Sequence, residues 1–209
     1  IEETNPVISA DGNILYFGRK DNPSNIETPK DDIWYSIKDK NGKWTEAKNI
    51  GRPLNNRDNN FVISSSPDNN TLLLGNKYAT DGVSSNGGGV SIAKKGQSGW
   101  EIPKDVVIED FINTNNYVGY FLSNDNKNLL MTVERPGGLG QKDIYVSFVK
   151  DDGTFSKPKS LGNVVNTFDD EANPFLASDG KTLYFASKGH PGYGYFDLFV
   201  TKRLDDTWT

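Results

Sequence analysis

Carboxylates are the groups best placed to do chemistry in this chain. Asp and Glu number 28 among 209 residues, against a single histidine, His190, and no cysteine. Three aspartates recur at one position of a repeated segment, in Asp32-Ile33-Trp34, Asp143-Ile144-Tyr145 and Asp197-Leu198-Phe199. Such a set could ligate a metal or supply acids around a channel. An ionised carboxylate is also a strong acceptor and could take backbone N–H bonds that lock the preceding loop. Recurrence from repeat to repeat is what a scaffold feature shows, so a structural role is expected for Asp32, Asp143 and Asp197. A second set, Asp11, Asp68, Asp125 and Asp179, is followed in each case by Gly or Asn and reads as turn-forming.

His190 sits between Gly189 and Pro191, with no cysteine and no Gly-x-Ser-x-Gly elbow elsewhere. Catalysis by it is not expected, and a histidine-based zinc site is excluded by count. Its loop also carries Tyr193 and Tyr195, so His190, Tyr193 and Tyr195 are candidate contact residues for a protein or a glycan. Tyr195 and Phe196 could equally cap the edge of a sheet. The acidic runs Glu2-Glu3, Asp151-Asp152 and Asp169-Asp170-Glu171 raise the question of a hard cation. Glu3 aligns with Glu171, but Asn60 and Tyr117 fill that column in the other two repeats, and the EF-hand spacing is absent. Glu3, Asn60, Tyr117 and Glu171 are the candidate binding residues at a channel mouth. No cofactor is expected there; calcium is the one ion the column would admit, and backbone acceptance or solvation is the alternative. A glycosidase or sialidase would need a carboxylate pair and often an arginine cluster. Arg19, Arg52, Arg57, Arg135 and Arg203 do not align in the repeat. Gly87-Gly88-Gly89 lacks the Lys-Ser/Thr of a phosphate loop.

The elements that must position these groups are short strands. The turn aspartates are spaced by 57, 57 and 54 residues. After each comes a β-forming run: Leu15-Tyr16-Phe17, Leu72-Leu73-Leu74, Leu129-Leu130-Met131 and Leu183-Tyr184-Phe185. A third strand holds the recurring aspartate, replaced by Gly89 in the second repeat. Trp44, Trp100, Phe155 and Trp208 are expected to open a fourth strand. Similar tails follow in three repeats: Lys48-Asn49-Ile50-Gly51, Asp105-Val106-Val107-Ile108 and Lys159-Ser160-Leu161-Gly162. Asn5-Pro6 and Asn173-Pro174 precede the first strands of the outer repeats only. The second-to-third-strand loops, residues 19–31, 76–88, 133–142 and 187–196, vary most. Residues 108–116 are the one stretch that would admit a helical turn.

Four such units (1–57, 58–114, 115–168 and 169–209) predict a single all-β domain, a β-propeller of four-stranded antiparallel blades. The columns Tyr16/Leu73/Leu130/Tyr184 and Phe17/Leu74/Met131/Phe185 should pack blade against blade. The ring is expected either to close with four blades, the last one shortened, or to be part of a larger propeller. The net charge of −5, with both signs mixed, argues against nucleic-acid binding. No apolar run approaches the ~20 residues of a membrane-spanning helix. A start at Ile1 is read as that of a mature or trimmed chain.

The pattern Pro, apolar residues, Ser-Asp-Gly, Leu-Tyr-Phe, then Asp-Ile/Leu-aromatic resembles TolB-type, WD-repeat-like propeller repeats. Gly189-His190-Pro191-Gly192-Tyr193-Gly194 before the last aspartate is similar to repeats of OmpA-family, outer-membrane-associated proteins of Bacteroidota. The resemblance implies export to the periplasm or outer membrane, although no peptidoglycan-binding module lies within these residues. The expected function is a non-enzymatic interaction scaffold that binds a protein partner through the loop face. A carbohydrate-binding propeller, with exposed aromatics around a pocket, is one alternative. A hydrolase with convergent carboxylates of raised pKa is the other.

Overall fold

The structure is a computed structural model that describes residues 2–205. It separates into two compact units, Ile1–Val106 and Val107–Thr209, described here in turn. Unit 1 holds β1 (Glu2–Ile8), β2 (Ile14–Lys20), β3 (Asp31–Ile37) and β4 (Lys48–Asn49) in one sheet. Its second sheet holds β5 (Val62–Ser65), β6 (Thr71–Gly75), β7 (Val90–Gly96) and β8 (Gly99–Trp100), with β9 (Lys104–Asp105) also pairing with β7. Unit 2 holds β10 (Gly119–Leu122), β11 (Asn128–Val133), β12 (Asp143–Phe148) and β13 (Lys159–Ser160) in a third sheet. The fourth sheet is β14 (Glu171–Leu176), β15 (Thr182–Ser187) and β16 (Asp197–Lys202). Each sheet is an antiparallel meander in chain order, the blade expected from the repeat. The fourth strand assigned to Trp208 lies outside the described residues.

In each unit an apolar core lies between the two blades. In unit 1 the face of the first blade (Tyr16, Ile33) meets Leu54, Leu72 and Leu74. In unit 2 Phe121, Leu130, Ile144 and Val146 meet Leu176, Leu183 and Phe185. Burying each such side chain contributes about 1.5–3 kcal/mol relative to leaving it in water.

The tight turns follow from the aspartates. Ser9, Ser66 and Ser123 each donate an Oγ–H bond of 2.5 Å to Asp11, Asp68 and Asp125, and each carboxylate also accepts a backbone N–H two residues on. The residue after the aspartate is left-handed in all four turns: Gly12, Asn69, Asn126 and Gly180 have φ of 70°, 57°, 59° and 65°. The Asn-Pro pairs mark something the pattern alone did not explain. Asn5 and Asn173 sit at φ 49° and 50°, and the register of β1 with β2, and of β14 with β15, shifts there. Each pair is a β-bulge. Asn tolerates the left-handed region, and Pro brings no N–H to leave unpaired.

Two expectations need correction. Residues 108–116 contain no helical turn: Ile108 bridges Phe155 and a simple turn follows at Glu109-Asp110. The fourth strands are also broken. Trp44 and Phe155 make only isolated bridges, and continuous pairing resumes at the two-residue strands β4 and β13. In the second repeat the equivalent pairing is at Lys104-Asp105, one residue earlier than the aligned tail suggested.

An asparagine completes these short fourth strands. Asn55 is fully buried; its Oδ1 accepts the Ile33 N–H at 2.8 Å and its Nδ2 donates to the Ile33 carbonyl at 3.0 Å. Asn166 does the same to Ile144, again at 2.8 and 3.0 Å. Asn49 Oδ1 and Ser160 Oγ accept the remaining amide hydrogens, at 2.8 and 3.1 Å. Each asparagine lies in the connection to the next blade, so the bond fastens that connection to the blade before it. The position equivalent in spacing in the second repeat is Ile112, and the boundary between the two units falls in that connection.

Replacing Asn55 or Asn166 by Ala strands a buried N–H and should cost about 2 kcal/mol in urea unfolding. Ala at the exposed Asn163 of the same connection should stay within about 0.5 kcal/mol. The turn carboxyls predict an acid limb. Hydrogen bonds, from Ser9 first to Asp11 and from the Thr182 N–H first to Asp179, hold both pKa values down at about 2. A folded pKa below the unfolded one gives stability that is present above pH ~4 and is lost as pH falls through about 2. The melting temperature should therefore drop between pH 4 and 2, and the double variant Asp11→Asn/Asp179→Asn should show a smaller drop.

Candidate functional site

In unit 2 three segments converge at the loop end of the blades: residues 134–142, 163–170 and 188–196. Two glycines permit the approach. A Cβ on Gly140 would lie 2.3 Å from the Thr167 carbonyl, and one on Gly189 would lie 2.0 Å from Thr167 Oγ1. Backbone bonds join the segments: Glu171 N–H donates to the Lys142 carbonyl at 2.8 Å, and Lys188 N–H to the Asp170 carbonyl at 3.0 Å.

Asp170 lies at the centre and is buried. Its Oδ2 takes the Lys188 ammonium at 2.5 Å, while Lys142 Nζ stands 3.9 Å from Oδ1, which has no hydrogen bond. Lys188 Nζ also lies 4.3 Å from the centroid of the Tyr195 ring and 4.9 Å from that of Phe196. Hydrogen bonds to Asp170 first, and to Tyr195 second, hold the Lys188 pKa above its ordinary value. The ammonium is thus a fixed positive charge under an aromatic shelf. The Tyr195 ring is 77% exposed, and on the same converging segments Phe168 is 88% exposed and Tyr193 completely so. Sequence reasoning named Tyr193 and Tyr195 but passed over Lys142, Phe168 and Lys188; the acidic run containing Asp170 was the only signal.

The other candidates are placed as follows. Glu171 is fully buried and accepts from Thr167 N–H at 2.9 Å, Thr167 Oγ1–H at 2.7 Å and Ser187 Oγ–H at 2.7 Å. Asn60 holds the matching loop of unit 1, accepting Asn56 N–H at 2.8 Å and donating to Asn56 Oδ1 and to the Tyr78 hydroxyl. Glu3 is half exposed in a 2.8 Å ion pair with Arg19, and Tyr117 is 76% exposed. His190 is a strap: its Nε2–H donates to the Val165 carbonyl at 2.9 Å, and its ring packs on Phe185 and Phe199.

The third-strand aspartates each take N–H bonds from the loop before them. Asp32 accepts Ile26 N–H, Asp143 accepts Leu139 N–H, and Asp197 accepts Tyr193 and Gly194 N–H, at 2.6 to 2.8 Å. Burial pushes the carboxyls of Asp32 and Asp143 above their ordinary range. Asp31 is pushed up too, again by burial first, but consecutive strand residues point to opposite faces and the two do not converge. Among the described residues no group of three or more His, Asp or Glu could hold a metal. A groove of about 630 Å³ runs between the two blades of unit 2, floored by Leu130, Leu161 and Leu176 and edged by Lys159 and Arg203. Among the described residues no carboxylate or imidazole lines it.

No family model and no curated protein matches the chain. Several solved structures do. The propeller domain of the Trilobed protease from Pyrococcus furiosus is 15% identical over 99% of this chain and 57% of its own, with a TM-score of 0.48. The periplasmic gluconolactonase of Pseudomonas aeruginosa is 13% identical over 96% of this chain and 57% of its own, also at 0.48. Prolyl oligopeptidase B of Galerina marginata is 13% identical over 99% of this chain and 28% of its own, at 0.46. The chain thus spans little more than half the length of the first two. At this identity the likeness bears on fold alone, and the fold is the all-β propeller, here with four blades. The comparisons correct one expectation. The named proteins are a protease, a lactonase and a peptidase, which runs against the non-enzymatic scaffold expected from the repeat.

Lys188→Met leaves Asp170 buried with only the distant Lys142 and should lower the midpoint of denaturant unfolding. Adding Asp170→Asn should recover part of that loss, because the uncompensated charge goes with it.

Proposed function

We propose that the chain is the carbohydrate-binding propeller of a hydrolase. The observation that carries this reading is the exposed Tyr195 ring over the Asp170–Lys188 pair, with Phe168 and Tyr193 exposed on the same two segments. Rigid rings offer apolar area to the C–H face of a sugar at little cost in side-chain entropy. The ammonium and phenol hydroxyls beside them supply hydrogen bonds to sugar hydroxyls. The loop that carries Lys188, Tyr193 and Tyr195 is one of the variable ones on a repeated frame, where binding is usually placed. The hydrolases named above supply the setting in which the reading is framed; the argument rests on this chain's own side chains. The resemblance of the repeat to OmpA-family proteins supports a location in the periplasm or at the outer membrane.

Calorimetric titration with soluble oligosaccharides of glucose, galactose and N-acetylglucosamine tests the reading. At least one series should bind, and Tyr195→Ala should weaken it tenfold or more, about 1.4 kcal/mol. Binding that is undiminished in Tyr195→Ala, or no binding by any series at millimolar sugar, would overturn it. Release of reducing ends from the bound sugar reads the hydrolytic half separately.

A further inference from the structure

An asparagine or aspartate followed by glycine can react with its own backbone. The glycine nitrogen attacks the side-chain carbonyl carbon, and glycine has no side chain to hinder the approach. The attack needs that nitrogen released from any hydrogen bond its N–H makes. Six such pairs occur in the chain: Asp11-Gly12, Asn41-Gly42, Asp81-Gly82, Asn86-Gly87, Asp152-Gly153 and Asp179-Gly180.

In five of them the turn holds the glycine. Gly12, Gly42, Gly82, Gly153 and Gly180 donate their N–H groups to the carbonyls of Ser9, Asp39, Ala79, Lys150 and Ala177, three residues back in each case, at 2.8 to 3.0 Å. Gly87 is the exception: among the described residues its N–H is bonded to no backbone carbonyl. The pair lies in the connection between β6 and β7, and Gly88 and Gly89 follow it. Gly87 and Gly89 have φ of 96° and 138°, which only glycine adopts readily. The groups on either side are held. Asn86 N–H donates to the Lys77 carbonyl at 2.7 Å, and the Gly87 carbonyl accepts the Lys77 N–H at 3.0 Å. These two bonds bracket the pair and leave the nitrogen between them unheld.

We propose that Asn86 is a site of self-modification. The Gly87 nitrogen bonds to Asn86 Cγ, and the side-chain amide leaves as ammonia with the proton that the nitrogen gives up. Water then opens the resulting succinimide at either carbonyl, giving aspartate or isoaspartate. Either product places a carboxylate in a variable loop of the second blade. Isoaspartate also adds a methylene to the backbone between the two Lys77 bonds. The inference goes beyond the sugar-binding reading and does not depend on it.

The test is to hold the folded chain at mildly alkaline pH for weeks and map its peptides by mass spectrometry, with electron-transfer fragmentation to separate isoaspartate from aspartate. Asn86 should convert about tenfold faster than Asn41, because Gly42 must first give up its turn bond. In concentrated urea, where the turn is lost, the two asparagines should convert at similar rates. Equal rates at Asn41 and Asn86 in the folded chain overturn the proposal. So does an Asn86 that stays intact, or a difference between the two that persists in urea.

Discussion

A carboxamide that replaces part of a strand is the constraint on which the rest of the structure depends. The fourth strands β4 and β13 are two residues long, too short to satisfy the buried edge of β3 and β12. The Ile33 and Ile144 N–H groups lie in the dry core, where an unpaired donor is costly. Asn55 and Asn166 answer with the one short side chain that presents a donor and an acceptor together. Each sits 22 residues beyond its partner, in the connection to the next blade. One interaction thus completes a sheet, fixes a loop and sets the approach of the next blade. The Glu171 and Asn60 networks then hold the far end of those same connections.

That arrangement explains where the candidate site is built. The Asn166 connection leads directly into Phe168, Asp169 and Asp170, so a fastening made for the core also fixes the floor of the loop face. Lys188 and Lys142 arrive from two other loops and neutralise a carboxylate that burial would otherwise penalise. The aromatics Phe168, Tyr193 and Tyr195 are left facing water. The Asp32 and Asp143 carboxylates serve the scaffold, tying each variable loop to the strand that follows it, and their raised pKa values record burial rather than convergence.

Much of the fold was legible because its signals are local. The turn aspartates specify a left-handed residue one position on, and the alternating runs after them specify strands. The lengths of the fourth strands were not legible: Trp44 and Phe155 look like strand openers, yet they make only isolated bridges because the chain must leave the sheet to reach the next blade. Asn55 and Asn166 read as ordinary loop residues, since nothing near them in sequence hints at a partner 22 residues away. The site was half legible for the same reason. Tyr193 and Tyr195 stand out in a Gly-rich loop, whereas Lys142, Asp170 and Lys188 come from three segments and share no spacing motif. The reading of the repeat as a non-enzymatic scaffold was the weakest inference, because a propeller frame says little about the chemistry carried on its loops.

The most direct test of the clamp is native-state hydrogen exchange read residue by residue. The Ile33 and Ile144 amides should be among the slowest in their units, exchanging only when a whole unit opens. If they exchange as fast as the amides of the exposed Asp39–Lys43 turn, the carboxamides do not hold the blades together and the account fails.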